Sequence, residues 1–319
     1  MPEAVRMCDV VAIGELLIDF TCVGTDEYGY PAMQAHPGGA PANFLASLTK
    51  FGAKTALVAK VGNDAFGHKL VKTMSEIGVN TSGIVIADDV FTTLAFVTLD
   101  EHGEREFSFA RKPGADTKLR FEEIDLSLID SAKLLHFGTL SLTDEPSRTA
   151  VYKAVEYAKS RGKMISFDPN LREALWNDLE SAKAQMLWGL SKADIVKLSR
   201  EEAEFLFGES PEKSAGKIVN EYGVKLVFVT CGADGCVYRS KNVSGTAGLL
   251  GNVKAVDTTG AGDIFGGAAV GQILRLGKAP EELSAQELAH IAGFACRVAS
   301  VSVTRPGGIY SVPEPCEIG

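Results

Sequence analysis

From residue 256 to residue 269 the chain reads Val-Asp-Thr-Thr-Gly-Ala-Gly-Asp-Ile-Phe-Gly-Gly-Ala-Ala, a polar glycine turn set directly against a helical apolar run. Gly260 and Gly262 have no Cβ, so the amides around them approach an anion closely, and the positive end of the following helix points at the same spot. Asp263 stands inside that anion site. A carboxylate there repels phosphate, but it suits a base that takes a proton from an attacking hydroxyl. The plain alternative is an acidic residue favoured in a first helical turn by the dipole. Against it, Asp257, Thr258 and Thr259 crowd more polar groups into the turn than helix capping requires. No Gly-Lys-Ser/Thr follows, as a P-loop needs, and Phe265 occupies the third glycine position of the dinucleotide fingerprint.

Five further segments carry chemistry-bearing residues. In His36-Pro37-Gly38-Gly39-Ala40-Pro41-Ala42-Asn43 a glycine pair precedes a helix, so its amides face a ligand or merely connect elements, and Asn43 both donates and accepts. Asp19 is expected at the end of the first strand, where open α/β sheets place ligand-binding side chains, although a surface aspartate is the commoner case. Arg172 closes Asp168-Pro169-Asn170-Leu171-Arg172 and either clamps an anion bidentately or is simply solvated. In Lys197-Leu198-Ser199-Arg200-Glu201-Glu202, Glu202 either holds a hydrated Mg²⁺ or belongs to an ordinary charged helix start. Thr230-Cys231-Gly232-Ala233-Asp234-Gly235 reads first as a hairpin turn.

Strand-like runs alternate with amphipathic stretches, the pattern of an α/β fold with a mostly parallel sheet covered by helices on both faces. Strands are expected at 10–14, 56–61, 133–137, 164–168, 194–198 and 226–231, mostly apolar at both alternating positions. Helices are expected at 41–51, 66–77, 146–161, 201–207 and 264–276. Pro41 and Pro146 suit first turns; Gly52, Gly78, Gly162 and Gly277 suit helix stops. Two stretches break the rhythm. Residues 21–34 are polar, and 91–99 with 106–111 flank an acidic turn as an antiparallel hairpin would. We read residues 1–319 as a single domain with a small β lid, inserted from about 20–36 and 90–112, over the mouth of the main sheet.

Composition narrows the partners. The net charge of −9 and pI near 5.2 disfavour nucleic-acid binding, which needs basic faces. No apolar run reaches the ~18 residues of a membrane span. The first apolar segment, 10–13, is too short and too charged in its surroundings for a secretory leader. Six scattered cysteines form no C-x-x-C pair and suit a reducing cytoplasm, and five isolated histidines make no metal or triad pattern.

Taken in order, these segments resemble the ribokinase-like (PfkB) carbohydrate kinases, from about residue 10 to residue 312. The resemblance rests on Gly38-Gly39-Ala40-Pro41-Ala42-Asn43, Gly62-Asn63-Asp64-Ala65-Phe66-Gly67 and Asp257-Thr258-Thr259-Gly260-Ala261-Gly262-Asp263. Within the family, Gly14-Glu15-Leu16-Leu17-Ile18-Asp19-Phe20 and Thr93-Leu94-Ala95-Phe96-Val97 are similar to fructokinases. It implies a three-layer α/β/α kinase with Asp263 as base and the Gly260, Ala261 and Gly262 amides as anion hole. It assigns Asp19, Gly38, Gly39, Asn43, Arg105, Phe109, Arg111 and Arg172 to the sugar. Ser199, Thr230, Cys231, Gly232, Ala233, Asp234, Gly235, Gly262 and Cys296 fall to ATP. Glu202 would meet Mg²⁺ through water. Asp257, Thr259, Ser302, Arg305, Gly307 and Ser311 would meet K⁺. The chain departs from the family where Ser199 replaces the Asn of Asn-x-x-Glu and where Lys112 and Gly114 interrupt the usual lid segment. The expected reaction is ATP-dependent phosphorylation of D-fructose on C6. The rivals are a 2-keto-3-deoxygluconate kinase, a non-catalytic sugar or nucleotide regulator, and a dinucleotide oxidoreductase, the last lacking its fingerprint. Exposed lid edges with Phe91, Phe96, Phe107 and Phe109 point to a homodimer joined through the lid.

Overall fold

A computed structural model describes residues 8–99, 105–249, 251 and 253–318. The strands are β1 (Val10–Ile13), β2 (Leu17–Thr25), β3 (Pro31–Gly38), β4 (Thr55–Gly62), β5 (Ile84–Ala87), β6 (Leu94–Leu99), β7 (Arg105–Ala110), β8 (Leu134–Gly138), β9 (Met164–Asp168), β10 (Ile195–Ser199), β11 (Leu226–Thr230), β12 (Cys236–Ser240) and β13 (Ser244–Ala247). The α-helices are α1 (Ala40–Lys50), α2 (Ala65–Glu76), α3 (Leu126–Ser131), α4 (Ser147–Ser160), α5 (Leu179–Lys192), α6 (Arg200–Phe207), α7 (Pro211–Tyr222), α8 (Ala261–Leu276), α9 (Ala285–Ser302), α10 (Gly308–Ser311) and α11 (Pro315–Ile318).

Among the described residues the strands form a sheet of nine, ordered β13-β12-β11-β10-β9-β8-β1-β4-β5, and a sheet of four, ordered β3-β2-β6-β7. The large sheet is parallel except at β12, which runs antiparallel to both β11 and β13. Its strands alternate between two cores. Val10 and Ala12 of β1 pack toward α1, α8 and α9, while Val11 and Ile13 pack toward α4, α5, α6 and α7. This two-sided burial explains the unbroken apolar runs: β4 is buried at all eight positions. Each fully buried Leu, Ile or Phe contributes about 1.5–3 kcal/mol relative to exposure.

Strand order reverses at β1, which lies between β4 on one side and β8 on the other. Ligands of open α/β sheets bind in the crevice at such a point, beyond the carboxyl ends of the strands. There the smaller sheet stands. It begins earlier than the expected lid segments and includes Asp19, which therefore lies on β2 of the lid and not at the end of β1, a strand that stops at Ile13. The sequence hides this break because Leu16, Leu17 and Ile18 continue the apolar run after Gly14 and Glu15. The hairpin turn, 100–104, lies outside the described residues, but β6 and β7 pair antiparallel as expected.

The lid is anchored by Asp64. Its carboxylate caps α2 through the amides of Phe66 and Gly67 and accepts from Thr92 N at 2.8 Å, just before β6. A Cβ on Gly67 would collide with the Gly62 carbonyl, so this turn needs glycine there. Gly52, Gly78 and Gly162 follow helix ends with positive φ, and Gly277 caps α8 at φ +63. Pro146 precedes α4 at its cap and not inside its first turn.

Candidate active site

Helix α8 begins at a left-handed Gly260, φ +74, which turns the chain sharply out of the Asp257 loop. Asp263 follows in the first turn and is buried. Its Oδ2 accepts from Asn43 Nδ2 at 2.9 Å and its Oδ1 from Asn170 Nδ2 at 2.8 Å. Two cavities meet at this carboxylate. The larger, about 400 Å³, runs past Lys197, Ser199, Glu202, Thr230 and Gly232; the smaller, about 240 Å³, lies under the lid between Glu15, Asp19, Gly39, Asn43 and Phe109. Asn170, Arg172, Thr258 and Gly260 line both with Asp263.

The smaller cavity is polar on its floor and apolar on its lid side, with Leu17, Ala95 and Val97 beside Phe109. Asp19 reaches it from β2, and burial pushes its carboxyl up to about 7. A Cβ on Gly38 would strike that carboxylate, so the glycine pair serves close approach. Gly39 has no side chain to cap α1; Glu15 does so, accepting from Ala40 N at 2.8 Å. Burial also pushes the Glu15 carboxyl up to about 7.

In the larger cavity Lys197 Nζ lies 3.0 Å from Asp168 Oδ2, both buried. A Cβ on Gly262 would sit 2.6 Å from this ammonium, so the second glycine of the turn admits a cation against the helix start. Burial works against the charged lysine, but Asp168, Glu202 and Asp263 outweigh it and hold its pKa above the ordinary value. A positive end of a helix and a fixed ammonium thus face a space bordered by the Asp263 carboxylate. That arrangement suits transfer of an anionic group to a hydroxyl.

The family model for pfkB family carbohydrate kinases matches residues 7–315. The chain belongs to that family. This carbohydrate kinase is 42% identical over 312 residues to Fructokinase-2 of Solanum lycopersicum, covering 97% of this chain and 94% of that one. It superposes on the fructokinase of Xylella fastidiosa with bound ATP at a TM-score of 0.89 and 30% identity, with 97% and 96% of the two chains covered. The fructokinase of Vibrio cholerae O395 in its fructose-, ADP- and calcium-bound form gives 0.85 at 30% identity, with 98% of each chain covered.

The kinase departs from its sequence reading at several positions. Arg111, expected at the sugar, is buried and turned away: it pairs with Asp116 at 2.7 Å and donates to Thr143 Oγ1 and the Leu140 carbonyl. A guanidinium with all its nitrogens engaged anchors the end of β7 instead. The side chain of Arg105 lies outside the described residues. Ala261 lines neither cavity, and its amide donates to the Thr258 carbonyl at 3.2 Å, which leaves Gly260 and Gly262 at the cavity walls. The Cys296 side chain is buried in the core, 3.6 Å from Cys236 Sγ, and faces neither cavity. Of the turn from 230 to 235, only Thr230 and Gly232 line the larger cavity; Ala233 is exposed, Asp234 pairs with Arg200 at 2.6 Å, and Cys231 N closes the turn onto the Gly235 carbonyl.

Glu202 forms a capping box with Ser199, and its two oxygens accept from Leu171 N and Ser199 N at 2.8 and 2.7 Å. Of the residues expected at K⁺, Asp257 accepts from Thr259 N, Thr259 Oγ1 and Gly307 N, which ties the 257–259 turn to the loop before α10. The Ser302 carbonyl accepts from Arg305 N and the Gly307 carbonyl from Ser311 N, each keeping a second lone pair. Asn170, Lys197 and Glu15 join the site without a role that their sequence context alone assigns. Asp168-Pro169-Asn170 at a strand end was the visible signal for the first; a bare glycine cap on α1 was the signal for Glu15.

Proposed function

We propose that this carbohydrate kinase phosphorylates D-fructose with ATP, transferring the γ-phosphoryl group to the C6 hydroxyl to give fructose 6-phosphate and ADP. One observation carries the reading: among the described residues Asp263 is the only carboxylate that lines both cavities, so it alone can serve a hydroxyl in one and a phosphoryl group in the other. The sugar takes the smaller cavity, with hydroxyls on Asp19, Asn43 and the Gly38–Gly39 amides, Phe109 from the lid and Arg172 from the side. The nucleotide takes the larger, along Thr230, Gly232 and Ser199. Asp263 accepts the hydroxyl proton as its oxygen bonds to phosphorus and the bond to ADP breaks. The Gly260 and Gly262 amides and Lys197 stabilise the transferred charge.

Mg²⁺ would arrive with the nucleotide phosphates, and Glu202, whose oxygens already accept amides, would touch it only through water. The all-oxygen set of Asp257, the Thr259, Ser302, Arg305 and Gly307 carbonyls and the Ser311 hydroxyl suits a hard cation such as K⁺, which would fix the helix start beside the anion hole. No helix among the described residues is long and apolar enough to cross a membrane. Six unpaired cysteines suit a reducing, cytoplasmic setting.

The reading is tested by ADP release with fructose, ribose, 2-keto-3-deoxygluconate and nucleosides, with and without K⁺. Fructose is expected to give the highest kcat/KM; preference for the keto-acid would transfer Arg172 to a substrate carboxylate and displace the fructose assignment. Asp263→Asn is expected to lower kcat at least ~100-fold while both substrates still bind within a few fold. Near-normal turnover would remove Asp263 from the base role.

A further inference from the structure

Asp263 is gripped from two sides by carboxamides on distant segments, and one of them sits in an unusual backbone. Asn170 has φ +48, the only positive φ of a non-glycine residue among those described. Its loop is held at both flanks. Thr139 N donates to the Pro169 carbonyl at 3.1 Å, and Leu171 N donates to Glu202 Oε1 at 2.8 Å. Surroundings that fix both neighbours are what sustain a left-handed conformation, and asparagine tolerates it better than other side-chain residues. The carboxamide is thereby aimed at Asp263 Oδ1.

The Asn43 side tells the same story. Turning its amide over would set two oxygens against each other, so Nδ2 must face the carboxylate. The consequence is that Asn43 Oδ1 is buried without a hydrogen-bond partner. Two opposed donors fix both the plane and the rotation of the carboxylate, which a single donor does not.

We propose that Asn170 is a positioning residue for phosphoryl transfer, whose carboxamide, opposite that of Asn43, holds the Asp263 carboxylate at the angle from which it accepts the sugar proton. This rests on the reading of Asp263 as the base. The competing account is that asparagine is present only because the turn needs a left-handed residue. Glycine separates the two, since it adopts that φ without strain but has no donor.

The test compares wild type, Asn170→Gly, Asn170→Asp and Asp263→Asn by ADP release with fructose and by thermal melting. Asn170→Gly is expected to lose about 10–100-fold in kcat, the scale of one hydrogen bond to a charged group, with KM for fructose and ATP within about threefold. Asn170→Asp keeps the shape and sets a second carboxylate against Asp263. Its kcat is expected to fall further, and the acid limb of its kcat–pH profile to move to higher pH, because two carboxylates sharing a site retain a proton. Glu15, Asp19, Arg172, Lys197 and Glu202 line the two cavities with Asp263, Asp168 pairs with Lys197 behind them, and all are unchanged in both variants. Asn170→Gly turnover within threefold of wild type, or a loss wholly in KM, would overturn the proposal. If Asn170→Gly shows no melting transition, Asn170→Asp decides, and wild-type kcat with an unmoved acid limb overturns it. An active Asp263→Asn would bring down the base reading itself, whereas an inactive one beside a fully active Asn170→Gly defeats only the role of Asn170.

Discussion

Asp19 faces the smaller cavity from β2, and burial pushes its carboxyl up to about 7; Arg172 opposes that rise while Asp263 and Asp257 add to it. The free enzyme thus holds a proton there below neutrality. Sugar hydroxyls that donate to the carboxylate favour its ionised form, so binding must release this proton when the pH lies below about 7. Affinity for fructose is therefore expected to be greatest above about 7 and to weaken by up to ~10-fold per unit as the pH falls. Calorimetric titration across pH 5–8 measures it, and Asp19→Asn should remove the dependence. A flat affinity in wild type would mean that Asp19 is not a hydroxyl acceptor. The same carboxylate was legible in the sequence as a ligand candidate, but its element was not. Apolar residues run on after Gly14, and only the register of β2 on β3 and β6 shows that Asp19 belongs to the lid.

At the scale of elements, α1 and α8 matter because they carry Asn43 and Asp263. Their backbones approach closely at Gly267, where a Cβ would strike the Phe44 carbonyl and come within 2.8 Å of Ser47 Cβ. Ser47 Oγ also donates to the Ile264 carbonyl at 2.9 Å, so the helices are joined by a hydrogen bond as well as by packing. Gly267→Ala is expected to cost about 1–3 kcal/mol by overpacking. Because the helices must part, kcat should fall as well, although neither substrate touches the site. An unchanged melting temperature would show that the pair can slide without loss. The end of β7 behaves differently from expectation for an element-level reason. Arg111 follows the last lid strand at the point where the chain re-enters the main body, and the buried Asp116 there needs a cation. Removing a buried guanidinium from such a pair leaves an uncompensated carboxylate, which makes anchoring its dominant role.

At the scale of the whole molecule, the lid is a four-stranded sheet with β3 and β7 at its edges. Phe96, expected to face a second copy, instead stacks on Phe20 at 5.3 Å between ring centres, and Phe109 lines the smaller cavity; the Phe107 side chain lies outside the described residues. Phe91 is exposed, as are Val23, Tyr28 and Tyr30 on the other lid segment, whose composition is otherwise polar. We propose that two lids pair through these four, the exposed large apolar and aromatic side chains of the lid region among the described residues. Sedimentation should report a dimer that Val23→Asp combined with Tyr30→Lys converts to monomer; a monomeric wild type at micromolar concentration would end the lid-pairing proposal.

The sequence by itself determined the local matters: buried strands from doubly apolar runs, helix stops at Gly52, Gly78, Gly162 and Gly277, and a glycine turn at a helix start carrying Asp263. Each depends on backbone sterics and periodicity over a few residues, which composition records directly. What only the tertiary structure decided is which polar groups meet. Asn43 and Asp263 are 220 positions apart, and Asn170 and Asp263 are 93 apart. They come together because strand order reverses at β1 and brings the starts of α1 and α8 and the end of β9 to the crevice beyond the carboxyl ends of the strands. No local pattern encodes that order. The fates of Arg111, Asn170 and Cys296 follow from it, because a buried polar side chain takes the partner that the assembled sheet supplies.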